Sequence, residues 1–299
     1  MNILVVGSFM MDQVVTTSLV PQKGETVIGE SFTINPGGKG ANQAVTAKRL
    51  GANVKMVGQL GDDPNGEIFV RVLDEEGIDI QDILIDTKQS TGVGFITKET
   101  SGDNRIIVIP GANMTYKYSD FEKIIDKLDE ISIAILQLEM DFEVTYKIIS
   151  KLQNLQIPII LNPAPAQILS DKWLSKINYL TPNETELGIL TNSVIETLED
   201  VEKAVNQLLN KGVDNVIVTL GDKGAYFANQ FETGYVEANK VEVVDTVAAG
   251  DSFNGALAVA ILEGKSMRDS VMFANRVGSM TVTKVGAISS LPYRKDLDS

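Results

Sequence analysis

The feature that most narrows the possible folds is an alternation running nearly the whole length of the chain. Short β-branched runs, "NILVVG", "NVKMVGQLG", "ISIAILQLE", "IPIILNPA", "INYLTPNE" and "DNVIVTLG", each end in Gly, Pro, Asn or an acid. Between them stand segments with apolar residues at helical spacing: "GANQAVTAKRLGA", "GEIFVRVLDEEG", "DFEVTYKIISKLQN" and "LEDVEKAVNQLLNKG". Continuous apolar strands separated by helices predict an α/β fold, a parallel sheet covered by helices on both faces. The stretch from Gly250 to Val285 reads as two consecutive helices. Residues 13–34 and 91–111 break the rhythm and alternate like strands, the second with a hairpin-like "ETSGDN". They predict a small β lid outside the main sheet. With no internal repeat, low-complexity tract or linker, the chain reads as one domain with an appendage.

In such sheets ligands bind beyond the C-terminal ends of the strands. Asp12, Glu139, Asn162, Asn183, Glu186, Gly221 and the stretch Asp245–Asp251 all follow strand-like runs. Each alone reads as a turn or cap residue; seven polar groups converging on one rim are harder to explain that way.

Composition limits the chemistry available there. The 299 residues include neither Cys nor His, which removes disulfides, thiolate nucleophiles, Ser-His-Asp hydrolysis and typical zinc sites. Carboxylates, Lys, Arg, backbone dipoles and bound ions remain. The 26 basic residues against 40 acidic ones leave a net charge of −14, which speaks against nucleic acid or an anionic membrane as partner. The start, "MNILVVGS", carries no basic region before its apolar run and reads as a first strand rather than a signal peptide. No apolar run approaches membrane-spanning length, so a cytoplasmic location is expected.

Two stretches carry the chemistry. In "VVDTVAAGDSFNGALAVAILEG", Asp251 stands beside Ala248, Ala249 and Gly250 where a helix must begin. An acid there can cap the helix. Alternatively, the small residues expose N–H groups to a bound anion, and the acid takes a proton from the nucleophile attacking it. In "NPGGKGANQA", three glycines surround Lys39 just before another helix. The spacing fits neither a P-loop nor the dinucleotide fingerprint, whose position after the first strand reads "GSFMMD". A flexible capped loop is one reading; close backbone approach to a small polar ligand, with Lys39 and Asn42 adding side-chain bonds, is the other.

"GGKGANQA" and "DTVAAGDSFNGAL", in this order, resemble the two signatures of the ribokinase-like (PfkB-type) carbohydrate kinases. "LNPAPA", "TPNETE", "VTLGDKGA" and "VGAISSLP" extend the resemblance over residues 1–299. It implies a three-layer Rossmann-like sandwich with a small β-sheet lid, in which the lid often forms a homodimer contact. It also implies transfer of the ATP γ-phosphate to the 5-hydroxyl of D-ribose, with magnesium; the alternatives are 2-deoxy-D-ribose, or another sugar or nucleoside on the same scaffold.

By resemblance Asp251 is the base, and the N–H groups of Ala248, Ala249, Gly250 and Asp251 form an anion hole. The sugar side comprises Met10, Asp12, Gly38, Lys39, Asn42, Glu139 and Asp251. Asn183 and Glu186 match an N-x-x-E motif tied to phosphate and Mg²⁺, Glu186 acting directly or through a water. Thr219, Gly221, Gly224, Gly250 and Asn275 fall to the nucleotide. Asp245, Val247, Thr281, Lys284, Gly286 and Ser290 match positions that hold a monovalent cation, K⁺. One position departs from the family pattern. The first loop usually reads G-S-x-N-x-D, and Met10 replaces the Asn, as in relatives whose sugar lacks the 2-hydroxyl.

Overall fold

The structure, a computed structural model, describes residues 1–100 and 104–298. In chain order the first half forms β1 (Asn2–Val6), β2 (Met10–Thr17), β3 (Ser31–Gly37), α1 (Lys39–Arg49), β4 (Asn53–Gly61), α2 (Pro64–Glu75), β5 (Ile83–Asp86), β6 (Gly92–Glu99) and β7 (Asn104–Ile109). The middle forms α3 (Tyr118–Glu122), β8 (Ile133–Leu136), α4 (Phe142–Asn154), β9 (Ile159–Leu161), α5 (Asp171–Leu174), β10 (Tyr179–Leu180), α6 (Glu184–Thr191) and α7 (Leu198–Asn210). The last part forms β11 (Asn215–Thr219), β12 (Gly224–Asn229), β13 (Thr233–Glu237), α8 (Ala249–Leu262) and α9 (Met267–Thr281).

Nine strands make the main sheet in the order β13-β12-β11-β10-β9-β8-β1-β4-β5. The seven from β11 to β5 are parallel, as the continuous apolar runs require. Alternate residues of one strand feed two separate cores. Ile3 and Val5 join α1, α2, α8 and α9 on one face. Leu4 and Val6 join α4, α6 and α7 on the other. Those are the three layers of the sandwich. An edge the alternation did not disclose also appears: β12 and β13 add antiparallel to β11. In their segment, "GAYFANQFETGYVE", β12 is buried on both faces while β13, at the edge, is largely open.

The lid is a second sheet, β3-β2-β6-β7. It begins at Met10, three residues before the expected start, because Phe9 and Met11 are fully buried and draw the chain straight from β1 into β2. Asp12 therefore stands on a lid strand rather than in a loop after the first strand. The "ETSGDN" hairpin lies partly outside the described residues, although β6 and β7 on either side of it pair antiparallel. Among the described residues no helix is long and apolar enough to cross a membrane.

Candidate active site

Five chain segments leave the C-terminal ends of parallel strands and meet at one rim. Gly7–Met10 follows β1, Gln137–Glu139 follows β8, Asn162 follows β9, Thr181–Asn183 follows β10 and Leu220–Gly221 follows β11. The start of α1 and the start of α8 close the space above them.

The start of α1 is built for close approach. Gly38 has φ 89°, a region that disfavours side chains, and no side chain caps the helix. A Cβ on Gly40 would stand 2.5 Å from the Ser8 nitrogen, so only glycine lets α1 touch the β1–β2 turn. The first N–H groups are taken by protein: Lys39 N–H donates to Glu139 Oε2 (3.2 Å), and Gly40 N–H to Ser8 Oγ (3.3 Å). Ser8 Oγ in turn donates to the same Glu139 oxygen at 2.5 Å. Glu139 thus fastens the Lys39 loop, a role the sequence did not suggest.

The start of α8 is different. Ala248 takes the left-handed conformation (φ 62°, ψ 5°), and no side chain caps the helix. The first-turn N–H groups of a helix have no partner within it; Ala249 N–H donates to the Thr246 carbonyl (3.4 Å), and those of Gly250 and Asp251 are available to a ligand. A Cβ on Gly250 would meet no atom within 4 Å, so the space beside it is open.

Asp251 lies in the first turn of α8 but makes no capping hydrogen bond to its own helix. It is 7 % exposed and accepts from two amides of α1: Asn42 Nδ2 to Oδ2 at 2.8 Å, and Gln43 Nε2 to Oδ1 at 3.1 Å. Asn42 therefore spends its donor on Asp251, while its Oδ1 is buried with no protein partner. An acceptor left free there suits a hydroxyl donor from a ligand.

The electrostatics are lopsided. Lys39 is pushed above its ordinary pKa, most strongly by Asp251, with Glu139, Glu186 and Asp12 adding to it against the opposing effect of burial. Four carboxylates thus share one ammonium. Asp12 is pushed up to about 6, first by burial and then by Glu139 and Asp251. Burial also raises Glu139 and Glu186.

Asn183 and Glu186 form a reciprocal capping box at the start of α6: Glu186 N–H donates to Asn183 Oδ1 (2.8 Å), and Asn183 N–H to Glu186 Oε2 (2.9 Å). One oxygen of Glu186 is thereby committed, leaving Oε1 for other work. Thr219 lies beside Asn183 across a parallel bridge, and Gly221 and Gly224 form the tight turn that leads into β12. Asn275 donates to the Val236 carbonyl (3.2 Å), tying α9 to β13.

Asp245 joins the two loops of the expected cation site, accepting from Val247 N–H (3.1 Å) and Gly286 N–H (3.0 Å). The Val282 carbonyl accepts from the N–H groups of Val244 and Asp245, which brings the end of α9 to the same place. The Thr281 hydroxyl is turned inward to Ser252 Oγ (2.9 Å), and its carbonyl accepts from Lys284 N–H (3.3 Å). Ser290 donates to the Ala287 carbonyl (2.8 Å). Sequence reasoning missed Ser8, Gln43, Gln137 and Asn254; the only trace of Gln43 was its place beside Asn42 in "GANQA".

A doubly covered sheet whose uncapped α8 start, beside the buried Asp251, faces the Lys39 loop can meet an anion and take a proton without His. The chain belongs to the pfkB family of carbohydrate kinases, whose description it matches over residues 1–294. It is 36 % identical to a ribokinase of Haemophilus influenzae, covering 99 % of this chain and 96 % of that one. It is also 36 % identical to a deoxyribokinase of Salmonella typhi, over 98 % and 96 %. Its fold superposes with a TM-score of 0.93 on an Arabidopsis thaliana ribokinase solved with ribose and ATP, at 33 % identity over 99 % and 97 % of the two chains.

Proposed function

We propose that the protein transfers the γ-phosphate of ATP to the 5-hydroxyl of D-ribose, giving ribose 5-phosphate and ADP. Asp251 takes the hydroxyl proton, the oxygen attacks the γ-phosphorus, and the bond from that phosphorus to the β-phosphate oxygen breaks. Developing negative charge is met by the N–H groups at Ala248–Asp251, where the dipole of α8 favours it. Asp12, Gly38, Lys39 and the free Oδ1 of Asn42 hold the sugar, and Glu139 holds the loop that carries three of them. Thr219, Gly221, Gly224, Gly250 and Asn275 line the nucleotide. The observation that carries this reading is the buried Asp251 carboxylate, aimed across an uncapped helix start rather than at its own backbone.

Magnesium fits this site on charge. Four carboxylates against one Lys39 would repel an unaccompanied nucleotide, and Glu186 Oε1 with Asn183 would hold the ion through water. When bound, Mg²⁺ neutralises phosphate charge. Potassium fits the pocket made by Asp245, Val247, Thr281, Lys284, Gly286 and Ser290, mostly through carbonyls, and there it would stiffen the loop that ends at Ala248. The whole chain acts as one kinase domain. Strand register places Val15, Phe32, Ile34, Phe95 and Ile107 on the lid face opposite Asp12, and all five are exposed. A second copy covering that face makes a homodimer. A second reading of the substrate, 2-deoxyribose, is favoured by Met10, which shares the Asp12 face of β2.

Asp251→Asn tests the assignment. Asn42 can flip its amide so that Oδ1 accepts from the new amide while Nδ2 turns to the sugar hydroxyl, which then accepts instead of donating, so the substitution is accommodated. Sugar and ATP binding persist while kcat falls about 10²- to 10⁴-fold, the contribution of a positioned base. A variant keeping more than about half of wild-type kcat contradicts a positioned base of that strength.

A further inference from the structure

Beneath Asp251 lies a chain of buried amides. Gln43 and Gln137 are 0 % and 2 % exposed, and Asn162 is 7 % exposed. Gln137 Nε2 donates to Gln43 Oε1 at 2.5 Å. Gln43 Nε2 divides its two hydrogens between Asp251 Oδ1 (3.1 Å) and Asn162 Oδ1 (3.2 Å). Gln43 is thus fully satisfied, and each bond constrains the next. Its amide cannot rotate without setting its oxygen against Asp251 and its nitrogen against Gln137. The group that ends this chain, Gln137, is itself wedged: a Cβ on Gly7 would come 2.2 Å from Gln137 Oε1.

Burying three neutral amides in a core costs more than burying apolar side chains unless every group is paired, and Gln137 Oε1 has no partner. An apolar core would serve the fold equally well at this depth. What an apolar residue at position 43 could not do is hold one named oxygen of Asp251 from below while Asn42 holds the other. The carboxylate plane is then fixed by two donors one residue apart on the same helix, and α1 is the helix whose first turn also carries Lys39.

We infer that Gln43 is a positioning residue for the catalytic base: the Gln137–Gln43 relay fixes the plane of the Asp251 carboxylate toward the sugar hydroxyl. The inference rests on the base assignment above, and the test separates the two. In Gln43→Ala, kcat falls about 10- to 100-fold, the scale on which small misplacement of a reacting group costs rate. The sugar KM changes less than about threefold, because the groups that bind sugar are untouched. In the Asp251→Asn background the same Gln43→Ala change has no further effect on kcat, since no base is left to aim. A merely structural glutamine would lower both enzymes alike.

Unchanged kcat in folded Gln43→Ala, or a loss that persists undiminished beside Asp251→Asn, overturns the inference while leaving the base assignment standing. An active Asp251→Asn enzyme overturns both. Should Gln43→Ala fail to fold, Gln137→Met removes the donor to Gln43 Oε1 and decides the matter by the same comparison of kcat in the two backgrounds.

Discussion

Replacing Met10 by Asn tests what sets the choice between two pentoses that differ by one oxygen. Met10 is the first residue of β2 and pairs with Gly37 on one side and Gly92 on the other, neither of which offers a side chain. Its neighbours Phe9 and Met11 point into the core, so Met10 shares a face with Asp12. The geometry agrees: from the place a Cβ would occupy on Gly94, Asp12 Oδ1 is 2.6 Å away and Met10 Cγ 3.9 Å. Met10 is only 7 % exposed, so a hydroxyl set against its thioether would find little water to replace a lost partner.

A thioether is a weak acceptor and no donor. A buried hydroxyl left unpaired costs about 1–3 kcal/mol, which is about 5- to 150-fold in kcat/KM at roughly 1.4 kcal/mol per tenfold. Met10→Asn supplies both a donor and an acceptor at that point. The ratio of kcat/KM for ribose to that for 2-deoxyribose, measured at saturating ATP, therefore rises by a factor in that range, through a gain for ribose rather than a loss of all activity. A ratio that stays put when the amide is restored refutes the reasoning and means that Asp12 or a water serves the hydroxyl.

Three further outcomes are expected. Asp12 has a folded-state pKa of about 6 against an ordinary 3.8, so the folded protein binds the extra proton and loses stability as pH rises through that interval; thermal melts of sugar-free Asp12→Asn should gain on wild type from pH 4 to about 6 and hold that gain above it, and a difference independent of pH contradicts the sign. Potassium added to desalted enzyme in sodium-free buffer should raise kcat several-fold, and rates indifferent to the ion remove the Asp245 site. Lysine at both Phe95 and Ile107, which are 46 % and 67 % exposed, should convert dimer to monomer in sedimentation runs; a wild-type protein already monomeric at assay concentrations dismisses the lid contact.

What the sequence disclosed and what it hid follow one physical division. The central strands were legible because residues such as Ile3–Val6 are covered on both faces and must all be apolar. The pair β12–β13 was not: β12 is buried on both faces but built on Gly and Ala instead of a β-branched run, and β13, at the edge, buries only part of itself. Asp251 stood out because small residues around an acid are unusual at a helix start. Gln43 did not, since a glutamine inside a helix normally signals a solvated face, and here the helix from Gly40 to Ala47 is buried all round. Glu139 lies at the rim, and its Oε2 accepts from Ser8 Oγ and the Lys39 N–H, a bond the sequence did not disclose. Only tertiary contact shows where an acid's oxygens go.

The same contacts explain how an acidic chain with no histidine can receive a polyanion. Lys39 sits among Asp12, Glu139, Glu186 and Asp251, so the site as a whole does not attract phosphate by charge. In the proposed reading, attraction would be local and directional, from the uncapped start of α8, where backbone dipoles aim at one point and fall off within a turn. A site of this kind discriminates among anions. A phosphate reaching the Ala248–Asp251 turn gains hydrogen bonds, whereas one displaced toward Asp12 meets carboxylates. In the proposed reaction these carboxylates would act as a fence that keeps the transferring group at the helix end. Removing Lys39 would weaken that fence's only counter-charge, so its first effect should fall on sugar affinity and the second on nucleotide affinity, the reverse of what a phosphate-binding lysine would give.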